Sequence, residues 1–161
     1  MRASTRALWA SAAAFAAGMA LAGTATASRA QPLLRGVADP TQAHADYILK
    51  CQGCHRPEGG GDARTTPPMR GSVAKFLSVP GGREYLGRVP GVATTDLDDA
   101  RLAGLLNWTL HRFDPTNLPD DFRAYTAAEI GRLRRAPLRI EASRVRAELI
   151  TRMPNGENPG K

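Results

Sequence analysis

Cys51-Gln52-Gly53-Cys54-His55 decides how this chain of 161 residues is read, because Cys51 and Cys54 are its only two cysteines. Two thiols three positions apart, followed at once by an imidazole, form the attachment signature of c-type haem. Each thiol can form a thioether to one haem vinyl group, and His55 is then held beneath the iron as an axial ligand. The same cysteine spacing also serves disulfide oxidoreductases, structural disulfides and halves of zinc sites. A zinc site needs a second ligand pair, which His44 and His111 do not form. A thioredoxin-like pair opens a helix after a buried strand, whereas residues 43–50, just before Cys51, have a helical pattern. The reading is therefore one covalent haem c held by Cys51, Cys54 and His55.

Upstream, Arg2 and Arg6 precede an apolar, alanine-rich run from Ala7 to Ala22, and small residues then lead to Ala27 and Ala30. That three-part layout is a secretory signal peptide, residues 1–30, cleaved after Ala27 or Ala30. The alternative, an uncleaved anchor, is disfavoured by the weak hydrophobicity of alanine and glycine. Haem attachment to bacterial c-type cytochromes takes place outside the inner membrane, so export and motif agree on a periplasmic protein. No other segment is long and apolar enough to span, so no membrane span is expected after cleavage.

Cleavage removes Arg2, Arg6 and Arg29 and leaves 131 residues, with 19 basic side chains against 15 acidic ones. That length suits one domain with one core. The mild positive balance, with few aromatics and no basic stripe, argues against nucleic acid and for an acidic face on a protein partner.

A lead segment, 31–39, ends at Asp39-Pro40, where Asp39 caps a helix and Pro40 takes its first position. That helix is expected to turn Ala43, Tyr47 and Ile48 inward and to deliver Cys51 at its end. Gly59-Gly60-Gly61-Asp62 and Pro67-Pro68-Met69-Arg70-Gly71 are loops. Short helices are expected at 72–77 and 83–89. The clearest helix starts at a cap of Asp98 or Asp99, repeats Leu102, Leu105, Leu106, Thr109, Leu110 and Phe113 at helical spacing, and stops at Asp114-Pro115. No strand-like alternation is visible, so the fold class is all-α: a small domain of short helices and loops around one haem. Beyond it, 114–153 is a helical C-terminal extension. There, Thr126-Ala127-Ala128-Glu129 fits a capping box, and Pro137 separates that helix from a second one at 140–151. The second helix is expected to turn Ile140, Val145, Leu149 and Ile150 inward. The arginines at 132, 134, 135, 139, 144 and 146 read as a solvated face, and 154–161 as a disordered tail.

Residues 40–113 resemble the class I cytochrome c family, through the helix ending in Cys51, the Cys-x-x-Cys-His run, the Pro67-x-Met69-x-Gly71 segment and the Leu102–Leu110 helix. The resemblance implies that the Pro67 carbonyl accepts the hydrogen bond from the far nitrogen of His55 and so orients the ring. It implies further that Met69 packs on the histidine side of the haem and that Trp108 is the aromatic residue of the final helix. It also implies a second axial ligand, a methionine from the loop before that helix. Here the chain departs from the family: Val92 stands near that place, and 70–152 contains no methionine. Met69, Met153 and His111 are the candidate ligands, with Lys75 and Tyr85 remoter, and an open iron position is the alternative.

Two functions follow from these residues. The first is a periplasmic carrier of single electrons, not an enzyme, working between a redox protein such as a dehydrogenase or another cytochrome and the respiratory chain. The second is a haem protein with an open distal site that binds CO, NO or peroxide. A dedicated peroxidase would need a base and a charged group over the iron, such as His111 with Arg83 or Arg88.

Overall fold

The computed structural model describes residues 34–62 and 64–154. The expected signal peptide, and the expected tail apart from Pro154, lie outside the described residues. The Asp39 carboxylate accepts hydrogen bonds from the Thr41 and Gln42 amides, each 2.9 Å long, and starts α1 (Pro40–Lys50). Ala43 and Tyr47 face inward, as the spacing requires. Ile48 does not: it is 46% exposed, and the inward position is taken by Asp46. That carboxylate can be buried because Arg101 donates to both its oxygens and Gln42 Nε2 donates to it at 3.0 Å. After the short α2 (Gln52–His55) and a long loop, a 3-10 turn occupies Ala74–Ser78, shorter and tighter than the helix expected at 72–77.

Next come α3 (Gly82–Arg88), α4 (Pro90–Ala93) and α5 (Asp99–Phe113). Asp98 is the cap of α5 and accepts from the Arg101 amide. Helix α5 is the centre of the core, with nine of its fifteen residues buried. It crosses α1 through an aromatic cluster in which Trp108 lies edge-on to Phe113 and Tyr47 touches both. Such ring pairs add to the burial they bring. No strand occurs among the described residues, and the architecture is all-α.

The extension folds back onto this core, and all described residues fall within one compact unit. Helix α6 (Ala127–Leu133) packs on α5 and α3, and α7 (Ala142–Thr151) packs on α3. Thr126 caps α6 by accepting from the Glu129 amide. The other half of the expected capping box is absent, because Arg83 holds the Glu129 carboxylate with two 2.7 Å hydrogen bonds. Ile140, expected inward, is 99% exposed, since α7 begins only at Ala142. Met153, at the end of the extension, is buried with Leu149 and Ile150.

The Arg83 pair makes a testable contribution. Its hydrogen bonds and charge hold the Glu129 carboxyl below its ordinary range. The unfolded chain therefore binds that proton first as pH falls, so the stabilisation is complete above the ordinary glutamate pKa and is lost as pH drops through the folded value. The stability gap between the native protein and Glu129→Gln is expected to narrow as pH falls below the ordinary glutamate range. Urea unfolding at each pH measures it, and a gap independent of pH would remove this role.

Candidate functional site

The Cys51–His55 run sits where α1 ends and the chain reverses. Cys51 is the C-cap of α1 and opens α2, and the amides of Cys54 and His55 both donate to the Cys51 carbonyl. Both thiols are free, Cys51 half-buried and Cys54 exposed. The reversal is enforced at Arg56, which stands at φ 61° and ψ 164°, a conformation that costs a non-glycine residue about 1–3 kcal/mol. Three bonds hold it there: the Tyr47 hydroxyl donates to the Arg56 carbonyl, the Arg56 amide to Gln52, and Arg56 Nε to the Gly61 carbonyl at 2.8 Å. Gly61 in turn donates its amide to the His55 carbonyl. It must be glycine, because its φ is +62° and a Cβ would stand 2.1 Å from the Thr66 carbonyl oxygen.

That turn presents the imidazole. Nδ1 of His55 is buried and has no hydrogen-bond partner of normal geometry. Burial lowers the His55 pKa, and the Pro67 carbonyl, the polar group facing the ring, partly offsets this. The Cys51 thiol is pushed up to about 11 by burial, by the Asp46 carboxylate and by Cys54. A disulfide oxidoreductase needs the opposite shift, a thiolate stabilised near neutral pH. Two free thiols and a half-buried imidazole in one fixed turn are a donor set that fits a covalent haem. Among the described residues, no group of three or more His, Cys, Asp or Glu side chains is placed to hold a metal ion by itself.

The remaining candidates lie apart from one another. Met69 is half-buried against the core, with its amide on the Gly59 carbonyl. Pro67 is two residues away on the same loop. Trp108 belongs to the interface of α1 and α5, stacked on His44 at 5.3 Å. His111 donates from Nε2 to the Arg35 carbonyl at 3.2 Å and sets its ring against Phe122. Met153 is buried at the end of α7, and Val92 packs on the core from α4.

Arg134, read from the sequence as part of a solvated face, is instead a clamp. Its guanidinium donates to the Ala93, Thr95 and Leu97 carbonyls and to the Asp99 carboxylate. On the other side of the same segment, Asp96 is paired with Lys50, the residue before Cys51, at 2.8 Å. Nothing in the spacing of the arginines distinguishes Arg134 from its neighbours; only the carbonyls of a distant segment do.

No protein-family model matches the chain. It is 31% identical over 120 residues to a cytochrome c-552 of Thermus thermophilus, an alignment covering 63% of this chain and 81% of that protein. A second cytochrome c-552 of Thermus thermophilus is 31% identical over 108 residues, covering 56% of this chain and 82% of the relative. With the helical fold and the Cys-x-x-Cys-His turn, this similarity shows that the chain belongs to the class I c-type cytochromes.

Proposed function

We propose that this chain is a periplasmic carrier of single electrons with one haem c, exported through a signal peptide at 1–30 that is then cleaved. The domain would be 40–113, and 114–153 a helical extension packed onto it. Cys51 and Cys54 hold the haem through thioethers and His55 is its axial iron ligand. The observation that carries this reading is one hydrogen-bonded turn that bears two free thiols and, directly after the second, the His55 imidazole. When bound, the haem supplies a one-electron couple at its iron. The protein's own residues fix the ring. Pro67 offers the carbonyl toward His55, which leaves the other ring nitrogen for the metal. Met69 provides apolar packing on the His55 side, and Trp108 acts through the packing of α1 on α5.

The mild positive charge favours an acidic face on the redox partner, such as a periplasmic dehydrogenase or another cytochrome. No helix among the described residues is long and apolar enough to cross a membrane. Expression with the leader in a cell that matures c-type cytochromes tests the proposal. The expected product is periplasmic, with haem that resists acid-acetone extraction. Reduced and then freed of reductant, it should pass its electron rapidly to a second cytochrome. Haem that extracts freely would sink the covalent reading.

A further inference from the structure

Haem iron bound by a macrocycle and by His55 has one axial position left. We propose that this chain leaves that position open and that it takes a neutral π-acceptor diatomic, carbon monoxide or nitric oxide. The inference rests on the haem attachment proposed above and adds ligand binding to electron carriage.

The thioether and imidazole donors among the described residues are engaged elsewhere. Axial donors approach a planar macrocycle from opposite faces. Met69 is anchored by its amide to the Gly59 carbonyl, on the loop whose Pro67 carbonyl faces the His55 ring, which fixes its backbone beside His55. His44 is stacked on Trp108. The Nε2 of His111 is spent on the Arg35 carbonyl. Met153 is buried among the side chains that close α7, held by a hydrogen bond from its amide to Ile150. Its exclusion rests on packing alone, which makes it the decisive variant.

The segment leading into α5 supplies no replacement. Residues 89–98 contain no methionine, histidine, lysine, tyrosine or cysteine. The segment also cannot swing a neighbour inward cheaply, because Arg134 holds three of its carbonyls from one side and Lys50 holds Asp96 from the other. A loop fixed at both edges leaves its side of the fold without a donor.

The same structure selects the ligand class. Peroxide chemistry needs a base and a cation that are free to act on the bound molecule. Arg83 is spent on Glu129 and the Arg123 carbonyl, and Arg88 on the Ala136 carbonyl. Arg83 and Arg88 thus serve the extension, and His111 serves the N-terminal lead through the Arg35 carbonyl. A neutral diatomic needs none of them: it donates a lone pair to ferrous iron and accepts electron density back, with no proton transferred.

The test uses full-length holoprotein with covalent haem, as isolated, ferric and ferrous, with carbon monoxide as the probe. A high-spin ferric signal and a Soret shift on adding carbon monoxide are expected, unchanged in Met153→Leu. A low-spin ferric protein whose ferrous form ignores carbon monoxide would overturn the proposal, and conversion of that protein to high spin by Met153→Leu would identify the ligand. A chain without covalent haem would instead overturn the attachment reading. The two failures are therefore separable.

Discussion

Replacing Asn107 with leucine is expected to destabilise the protein by about 4 kcal/mol, since three buried hydrogen bonds are lost and their backbone partners stay desolvated. Asn107 is fully buried on α5. Its amide donates to the Gly36 carbonyl at 2.9 Å and to the Tyr125 carbonyl at 3.0 Å, and its oxygen accepts from the Tyr125 amide at 2.8 Å. One side chain thus joins the N-terminal lead and the C-terminal extension to the central helix. Leucine has the same branched skeleton with bulkier ends, so the loss reports polar groups left without partners and some crowding rather than a cavity. Urea unfolding of the holoprotein measures it. A loss below about 1 kcal/mol would mean that another group or a water satisfies Gly36 and Tyr125.

Replacing both Cys51 and Cys54 with serine is expected to abolish covalent haem completely while leaving a foldable chain. Cys54 is exposed and Cys51 only half-buried, so neither thiol is a large part of the core. The structural cost of each change should stay near about 1 kcal/mol. The readout is the mass of the mature protein together with haem retention after acid-acetone extraction. Each single variant should keep one thioether and show a shifted ferrous α-band. Full covalent haem in the double variant would show that the attachment is elsewhere. His55→Ala complements the pair: it should leave both thioethers in place and change the iron's spin state.

The sequence is most legible where chemistry is local. Five consecutive residues specify the Cys51–His55 turn, and the periodicity of Leu102, Leu105, Leu106 and Leu110 finds α5 because every period lies on one element. Asp39 and Asp98 are caps for the same reason, since a cap acts within three residues. The misreadings have another cause. Hydrophobicity points Ile48 inward, but the fold buries Asp46 once Arg101, 55 positions away, can pair with it. Ile140 fails because Pro137 and the turn after it delay α7 to Ala142. Spacing gives no hint that Arg134 is a clamp or that Met153 is buried, because their partners belong to other segments, for Arg134 one that lies tens of residues upstream. Spacing reports faces of elements, whereas burial of a charge or a terminus depends on what returns to cover it.

The engagement of Asn107 with both ends of the chain bears on how the molecule comes into being. Arg35, just ahead of α1, donates to the Phe122 carbonyl 87 positions later. Contacts so distant in sequence close slowly, because the loop between them must be ordered first. As the polypeptide is synthesised from its N-terminus, the Cys51–His55 turn emerges long before Tyr125 can reach Asn107 or Arg134 can grip residues 93–99. During that interval the two thiols belong to an unfinished chain, open to modification from every side. Closure by the last third then completes the core around α5, while Cys54 stays exposed in the finished fold.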